Sequence, residues 1–255
     1  MKYLLLKEDD NILWVTMNRE EVHNAFNALL IDELLEVFTS ISDNIKAVVL
    51  TAKGRSFSAG ADLNWMKEMI NYSEEQNKKD SLKLFDMVYA IKSCPVPVIG
   101  RINGSALGGG AGLVSACDIS LGIKKAKFGF TEVKLGLLPA AISPFVNSKI
   151  GATECSRYFL TGERFDGSSA KTMGLLSEAY DSVEELDQEL LKIVDHFKQN
   201  APNAMKNSKA LIAHLNENFY QHRDHVANAI AKARVSKEGQ EGLGAFLQKR
   251  PANFS

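Results

Sequence analysis

The sequence predicts an α/β protein in which one core is followed by a helical region. Up to about residue 180, short apolar runs rich in β-branched residues alternate with longer segments whose apolar residues recur at a helical period. From residue 182 onward only helical patterns remain. A chain of 255 residues is long enough to bury one large core. We therefore expect an α/β core with a C-terminal helical extension that packs on a neighbouring subunit.

The first elements follow from hydrophobic period and turn residues. Alternating apolar residues on both sides of Asp9-Asp10-Asn11 predict a β-hairpin. The glycine- and serine-rich stretch at 53–61 predicts a loop, and Ser73 with Gln76 predicts a capping box for a long helix. In chain order, the predicted elements are strands at 3–8 and 11–17, a helix at 26–40, a strand at 46–52, a helix from Asp62 and a helix from Ser73 to Lys92.

A second buried strand is predicted in the middle of the chain, at 96–102, where two prolines end the long helix. It leads through Gly108-Gly109-Gly110 into a helix of small residues that begins near Gly109. Pro202 suits the first turn of a later helix. The remaining predicted elements are strands at 119–123, 127–130 and 175–180, and helices before Gly151 and at 152–161, 168–174, 182–199, 202–219, 221–237 and 238–248.

Composition excludes several classes of protein. Hydrophobic residues at 45% and charged residues at 24% are typical of a globular domain. A net charge of −1 argues against a broad nucleic-acid surface, so nucleic acid is not an expected partner. No stretch approaches the roughly 20 apolar residues of a membrane span, and acidic residues directly follow the short apolar run at the N-terminus. We expect a cytoplasmic protein without a membrane partner.

The cysteines and histidines give no metal signature. Cys94, Cys117 and Cys155 have neither metal-type spacing nor a disulfide framework, which fits a reducing compartment. His222 and His225 lie three residues apart in a polar helical pattern, which favours solvated side chains over ligands. We therefore expect no metal site.

Two strand-to-helix corners have the same composition of very small residues. The strand at 46–52 leads to Ser58-Ala59-Gly60-Ala61-Asp62, and the strand at 96–102 leads to Gly108-Gly109-Gly110. If the two strands are neighbours, the N–H groups of Ala61 and Gly109 can converge on one oxygen. Such a pair forms an oxyanion hole, in which each donor contributes roughly 3 kcal/mol to lowering the barrier. Small side chains are needed because the ligand must reach the backbone itself.

Glu132 is the leading candidate for acid–base chemistry. It follows Phe128-Gly129-Phe130 and precedes Val133. An apolar environment disfavours the charged carboxylate, so we expect the pKa of Glu132 to be raised towards neutrality. The alternative is a solvated loop glutamate or one paired with Lys134.

Three motifs, in this order along the chain, resemble the crotonase (enoyl-CoA hydratase/isomerase) superfamily. The resemblance extends over essentially the whole chain, and the C-terminal sequence EGLGAFLQKR (241–250) is similar to that of the family. Within the superfamily, further stretches resemble the methylglutaconyl-CoA hydratase branch of leucine breakdown. The family motifs are FSAGADL (57–63), NGSALGGGAGLVSACD (103–118) and KFGFTEVKLGLLP (127–139), and the branch motifs are GADLNWMK (60–67), LGLLPAAISPF (135–145) and YFLTGERFD (158–166).

The resemblance implies a spiral of ββα units over 1–195 and a helical trimerisation region over 196–255. It implies self-association as a homotrimer or as a hexamer built from two trimers. It also implies an acyl-CoA substrate and no separate cofactor, because coenzyme A is part of the substrate. The implied activity is hydration of the α,β-double bond of an enoyl-CoA thioester, most similar to methylglutaconyl-CoA.

The resemblance also assigns roles to individual residues. Ala61 and Gly109 would donate their N–H groups to the thioester oxygen, and Glu132 would be the acid/base. Trp65, with Met66, would face the acyl end of the substrate, although both are equally explained as core residues. The implied substrate-binding set is Asn24, Ala25, Ala59 and Leu63 along the CoA path, Asn64 and Trp65 at the acyl end, Phe246 and Lys249 near the CoA nucleotide of this or a neighbouring subunit, and Asp62, Gly108, Gly112, Leu135 and Pro139.

One position departs from the family pattern. Typical hydratases of the family carry a second glutamate where this chain has Gly112. Three explanations stay open: Glu132 does both jobs through one water, another group holds the water, or the reaction needs one base, as in double-bond isomerisation. A carboxylate on the substrate itself is a further source of assistance.

Two other functions compete with hydration. Gly110, Gly112 and Ser115 nearly match a dinucleotide-binding fingerprint, although such a fingerprint belongs after the first strand of a βαβ unit. A non-catalytic acyl-CoA binder is the second competitor, because Gly112 cannot activate water.

Overall fold

The computed structural model describes residues 1–215 and 223–252. Within these ranges the strands are β1 Leu4–Asp9, β2 Ile12–Met17, β3 Ala47–Ala52, β4 Ser56–Ser58, β5 Val98–Ile102, β6 Ser105–Leu107, β7 Ile119–Ile123, β8 Lys127–Gly129, β9 Arg164–Asp166 and β10 Glu178–Tyr180. The helices are α1 Ala28–Thr39, α2 Leu63–Met69, α3 Glu74–Lys92, α4 Gly109–Ala116, α5 Ser143–Thr161, α6 Gly167–Thr172, α7 Val183–Gln199, α8 Pro202–Leu215, α9 Arg223–Val235 and α10 Lys237–Leu247. Short 3-10 turns occur at Glu20–Val22 and Glu132–Leu135.

The strands of the described residues form two sheets, and from β3 to β8 successive strands along the chain belong to the larger and the smaller sheet in turn. The larger sheet has the order β1-β2-β3-β5-β7-β10, and the smaller has the order β4-β6-β8-β9. Three successive segments, β3-β4-α2, β5-β6-α4 and β7-β8-α5, each place one strand in the larger sheet, the next in the smaller sheet, and then a helix. The prediction of an α/β fold built as a spiral of ββα units is confirmed.

The larger sheet is parallel from β2 onward, and its central strands are buried, whereas β1 at its edge is largely exposed. Every residue of β3 is buried, as expected for an apolar strand between two layers. On one face, Leu186, Leu190 and Val194 of α7 pack against residues of the central strands such as Val49. The main core lies on the other face, towards the smaller sheet and helices α1, α3 and α4.

Local signals explain where several elements begin and end. The capping box predicted at Ser73 is confirmed: the Ser73 hydroxyl accepts from the Gln76 N–H at 3.3 Å, and the Gln76 side chain accepts from the Ser73 N–H at 2.8 Å. Gly151 has φ 73° and breaks the regular geometry between the two halves of α5. The predicted helix boundary at Gly151 therefore appears as a kink rather than a gap.

The strands of the smaller sheet were predicted only in part. β4 lies in the stretch predicted as a loop, while β6 and β9 lie in segments for which no element was predicted. Each has three residues, too few to show a period of two, and each is held by pairing with its neighbours in the sheet. The predicted strand at 175–180 is also shorter, because β10 begins at Glu178.

The C-terminal helices fold back on the core of their own chain. α9 packs along α3, and α10 packs against α2 and the 3-10 turn at Glu132–Leu135. Arg223 of α9 donates to both carboxylate oxygens of Asp86 on α3 at 2.6 and 2.7 Å. The boundary predicted at residue 195 lies inside α7, which packs on the larger sheet, and it stays a prediction.

The expectations about metal and membrane concern the described part of the chain only. In that part, no group of three or more His, Cys, Asp or Glu side chains is arranged to hold a metal ion. His222 and the stretch between the predicted helices 202–219 and 221–237 lie outside the described residues. No helix of the described ranges has the length and apolar character needed to cross a bilayer.

Candidate active site

The two small-residue corners lie against each other. β3 pairs in parallel with β5, and β4 pairs in parallel with β6, so both corners leave the sheets on the same side. A Cβ atom added to Gly60 would lie 2.9 Å from the Leu107 carbonyl oxygen and 3.8 Å from the Gly109 nitrogen. Gly60 also has φ +88°, a conformation that side chains disfavour. The predicted adjacency of the two strands is confirmed, and glycine at position 60 permits it.

Two backbone N–H groups at this junction have no hydrogen-bond acceptor among the described residues. Phe26 donates to the Gly60 carbonyl and accepts from Asp62, and these bonds fix the first corner. Among the described residues, nothing accepts a hydrogen bond from the N–H of Ala61 or of Gly109, and both residues line one cavity. Gly109 is the first residue of α4, where N–H groups are unpaired and the helix dipole is positive. The pair is therefore suited to an oxygen that carries developing negative charge.

Glu132 lies beside the second corner and is half-buried, with the end of its side chain turned away from solvent. Its Oε1 atom is 3.0 Å from the position that a Cβ on Gly108 would occupy. Its Oε2 atom is buried and has no hydrogen-bond partner in the described residues. Burial raises the pKa of Glu132 to about 7, opposed only in part by its own backbone N–H. Both protonation states are consequently populated near neutral pH, as acid–base work requires.

The alternative explanation for Glu132 is wrong. Lys134 is exposed, and no ion pair joins it to Glu132 within the described part of the chain. Phe128 and Phe130, which precede Glu132 in the chain, are themselves fully buried.

The position of the missing second glutamate is filled by an apolar side chain. A Cβ atom on Gly112 would lie 2.4 Å from Cγ2 of Ile142, and Ile142 lines the cavity. A Cβ on Gly110 would likewise lie 2.5 Å from the Ser58 carbonyl oxygen. Gly110 and Gly112 face protein atoms at close range, so they do not form a cradle for a dinucleotide. Ile142 therefore occupies the part of the cavity wall where the second glutamate of typical hydratases would lie.

The cavity has a volume of about 900 Å³ and gathers most of the predicted substrate-binding residues. Trp65 and Met66 are buried and also line the cavity. They are therefore compatible both with a place in the core and with a place beside the acyl group. The predicted residues that line it are Ala25, Ala59, Ala61, Asp62, Leu63, Asn64, Trp65, Gly108, Gly109, Glu132, Leu135, Pro139 and Phe246.

Asn24 and Asp62 act mainly on the backbone around the first corner. Asn24 is fully buried behind the lining, where its amide donates to the Lys53 and Ser56 carbonyls at 2.8 and 2.9 Å. Asp62 caps α2 and pairs with Arg19 at 2.9 Å, with both side chains 8% exposed. Asn24 therefore does not line the cavity, and its hydrogen bonds hold the neighbouring loop.

Two further predicted residues, Gly112 and Lys249, do not line the cavity. Gly112 is covered by Ile142, as described above. Lys249 is exposed, whereas the neighbouring Arg250 lines the cavity and donates to both carboxylate oxygens of Glu241. Phe246 lines the cavity of its own chain.

Part of the cavity lining comes from α3 and α9 and was not predicted from the sequence. Ser81 and Leu84 of α3 and Ile230 and Arg234 of α9 all line the cavity. The available signal was Arg234, a cation that follows the apolar stretch of α9 containing Ile230. The helical spacing of apolar residues alone does not show which element packs against such a cation.

The fold and the site together define a class of protein: a ββα spiral in which two unpaired backbone N–H groups and one carboxyl group line the same cavity. Comparison with known proteins gives the family. The model of the enoyl-CoA hydratase/isomerase family matches residues 7–255, and the chain belongs to that family.

Three relatives illustrate the range of the family. A crystal structure of a crotonase-type protein from Legionella pneumophila is 41% identical, with a TM-score of 0.79 over 99% of both chains. The 2,3-dehydroadipyl-CoA hydratase of Escherichia coli is 29% identical over 100% of this chain and 99% of its own length. A peroxisomal Δ(3,5)-Δ(2,4)-dienoyl-CoA isomerase of Arabidopsis thaliana is 28% identical over 97% of this chain and 94% of its own length.

Proposed function

We propose that this protein adds water to the α,β-double bond of an enoyl-CoA thioester, with methylglutaconyl-CoA or a related branched, carboxyl-bearing thioester as its substrate. The observation that carries the proposal is the juxtaposition of the unpartnered N–H groups of Ala61 and Gly109 with the buried Glu132 carboxyl in one cavity. The family supports an acyl-CoA substrate, and the name of the E. coli relative supports hydration.

The two N–H groups would act on the thioester carbonyl. As water adds to the β-carbon, charge develops on the carbonyl oxygen, and donors already in place stabilise that state more than the ground state. Neither Ala61 nor Gly109 has to break a hydrogen bond within the described structure to do so. This arrangement would polarise the double bond.

Glu132 would transfer the proton. Its carboxylate takes a proton from the water that adds to the β-carbon, and the resulting carboxylic acid gives a proton to the α-carbon. The carboxylate is thereby regenerated, and one water is consumed for each double bond. A pKa of about 7 suits both half-steps, because neither protonation state is strongly favoured.

Double-bond isomerisation is the second candidate, and the isoleucine at the missing glutamate favours it. Of the acids that line the cavity, Glu21 is exposed and Asp62 is paired with Arg19, which leaves Glu132 as the buried carboxyl without an ion pair in the described residues. One base is sufficient for isomerisation, since it removes a proton from the α-carbon of a 3-enoyl thioester and returns one to the γ-carbon. The Arabidopsis relative is named as an isomerase.

The coenzyme A moiety would be attracted by cations at the exposed part of the cavity. Lys67, Lys134, Arg164 and Arg250 all line it and are solvent-exposed. Phosphate groups pair well with such side chains. This complementarity also fits a protein that binds acyl-CoA without converting it, so the experiment must separate binding from turnover.

A panel of CoA thioesters tests the proposal. Crotonyl-CoA, methylglutaconyl-CoA and a 3-enoyl-CoA are incubated in water enriched in the heavy oxygen isotope, and the products are separated by mass spectrometry. Hydration incorporates the isotope at the β-carbon, whereas isomerisation does not. Faster hydration of methylglutaconyl-CoA than isomerisation of the 3-enoyl thioester supports the proposal. Isomerisation alone supports the second candidate, and binding with no product contradicts both.

We also propose that the chain self-associates as a trimer or hexamer in the cytoplasm. Leu211 and Ile212 of α8 are 60% and 59% exposed, which supports burial against another subunit. Cys94, Cys117 and Cys155 are free and buried, which supports a reducing compartment. Light scattering of the purified full chain measures the mass, and a monomer at micromolar concentration would contradict self-association.

A further inference from the structure

We propose that Arg234 and Ser81 form a subsite for a carboxylate at the far end of the acyl group, and so determine the preference of the site for carboxyl-bearing thioesters. The subsite deepens the proposed function and rests on it for the identity of the ligand as an acyl-CoA. It lies between α3 and α9, away from the groups already assigned to catalysis.

Arg234 is a buried cation with donors to spare. Its side chain is 12% exposed and lines the cavity. Within the described residues its hydrogen bonding is limited to Nη1, which donates to Asn77 Oδ1 at 3.4 Å, and the carboxylate of Asp80 is 3.9 Å from the same nitrogen. The Nε and Nη2 groups have no acceptor in that part of the chain. An arginine stays charged even where burial lowers its pKa, as it does here.

A second arginine on the same helix shows what a structural link looks like. Arg223 also joins α9 to α3, and its Nε and Nη2 groups donate to the two oxygens of Asp86 at 2.6 and 2.7 Å. The edge of the guanidinium that Arg223 uses for a carboxylate is the edge that Arg234 leaves open. That edge matches a carboxylate with two parallel hydrogen bonds. Arg234 thus forms a long ion pair with Asp80 through Nη1, and the other edge of its guanidinium is available for a ligand carboxylate.

Ser81 provides an independent sign of a polar ligand. Its side chain is 1% exposed and lines the cavity, and Oγ is buried without a hydrogen-bond partner in the described residues. Buried hydroxyl groups are normally paired, so an unpaired one that faces a cavity indicates a missing acceptor. A carboxylate oxygen bound to Arg234 would accept from the Ser81 hydroxyl.

The position along α3 sets the length of the acyl group. Leu84 Cδ1 lies 4.0 Å from a Cβ built on Gly109, so Leu84 marks the reacting end of the cavity. Ser81 is one helical turn from Leu84, about 4.5 Å along the axis. The subsite is consequently within reach of a short acyl chain whose thioester oxygen is held at Gly109. Apolar side chains, among them Ile230 and Met69, line the same cavity and suit the carbon chain.

Two saturated thioesters of equal chain length test the subsite by binding alone. Glutaryl-CoA carries a terminal carboxylate and pentanoyl-CoA does not, and neither has a double bond to hydrate. Titration calorimetry on the full chain gives the ratio of the two affinities. A charge-assisted hydrogen-bond pair predicts that the wild type binds glutaryl-CoA about 10- to 100-fold more tightly. Equal affinities in the wild type would overturn the proposal.

Three variants assign the preference to residues. Arg234→Met is expected to bring the affinity ratio to about one or below, Arg234→Lys to retain part of it, and Ser81→Ala to lower it several-fold, in line with a single neutral donor. Arg223→Met is the matched control, because it removes an α9–α3 ion pair that does not line the cavity, and its ratio should equal that of the wild type. If Arg234→Met and Arg223→Met change the ratio equally, or if neither changes it, Arg234 is structural and the proposal is wrong.

The same titrations separate the subsite from the proposed function. A wild type that prefers glutaryl-CoA but hydrates no enoyl thioester keeps the subsite and loses the function. A wild type that hydrates enoyl thioesters but binds both probes equally keeps the function and loses the subsite.

Discussion

The two ends of the cavity are built in different ways. At the reacting end, the donors are backbone N–H groups of Ala61 and Gly109, and burial raises the pKa of Glu132, opposed in part by its own backbone N–H. At the acyl end, the polar groups are side chains of Ser81 and Arg234 on two packed helices. Backbone donors cannot be replaced without moving the chain, whereas side chains can be exchanged one at a time. If the proposed roles hold, we expect that variants at Ser81 and Arg234 change substrate choice without changing the chemistry.

The largest expected effect is loss of the acid at the reacting end. Glu132→Gln keeps the shape of the side chain but removes the proton-transferring group, and kcat for the preferred thioester should fall about a thousandfold. Calorimetry should show the affinity for glutaryl-CoA within a few-fold of the wild type. Retention of kcat within a few-fold would show that another group transfers the proton, and the reacting end would then not depend on one acid.

The second effect concerns the support of the Ala61 corner. Asp62→Ala leaves the buried guanidinium of Arg19 without its carboxylate, and the free energy of unfolding should fall by about 3–5 kcal/mol. Denaturant unfolding measures the change. Asp32→Ala, which breaks the exposed pair with Lys83, is the matched control and should change stability by less than about 1 kcal/mol. Equal effects would mean that the corner is not held by its buried ion pair.

The third effect is a pH dependence of stability that belongs to Glu132. Because burial raises its pKa to about 7 from an ordinary 4.5, the folded state favours the protonated form, and stability is lost as pH rises from about 4.5 to about 7. Glu132→Gln removes this penalty. The variant should be about 3 kcal/mol more stable than the wild type at pH 8 and equal to it at pH 4.

Unfolding by denaturant at the two pH values checks this expectation. Glu36→Gln, at an exposed position of α1, is the control and should show no such crossover. A Glu132→Gln variant that is less stable than the wild type at pH 8 would show that the carboxylate is stabilised in the folded state.

The smallest effect concerns the packing that replaces the second glutamate. Gly112→Ala places a methyl group against Ile142 and should destabilise the fold by about 1–3 kcal/mol. In a double-mutant cycle with Ile142→Ala, the double variant should be more stable than the sum of the two single changes predicts. Gly244→Ala is the control, since nothing lies within 4 Å of its added Cβ. Additive effects would mean that Gly112 and Ile142 are not in direct contact.

The groups of the reacting end could be predicted from sequence, whereas the pair Ser81 and Arg234 could not, for a physical reason. The donors and the acid of the reacting end occur in contiguous motifs, and the backbone conformation of a corner is encoded by its own small residues, such as Gly60 with its positive φ. Ser81 and Arg234 are distant in sequence and line the same cavity only because α9 packs along α3. No local pattern contains that packing.

Two predicted residues lie outside the cavity lining for a similar reason. Asn24 stands in a motif beside residues that line the cavity, but its side chain turns to backbone carbonyls of another loop. Lys249 and Arg250 are adjacent cations, and of the two it is Arg250 that lines the cavity. Motifs locate a stretch of chain, whereas the direction of each side chain depends on its neighbours in space.

The packing of α9 and α10 against the core has a consequence for local stability when a ligand is bound. Because Ile230, Arg234 and Phe246 line the same cavity as Ala25 and Gly60, an occupant touches segments from opposite ends of the chain at once. Filling the cavity should therefore slow amide hydrogen exchange in the last helix far more than in β1, which lies at the edge of the larger sheet.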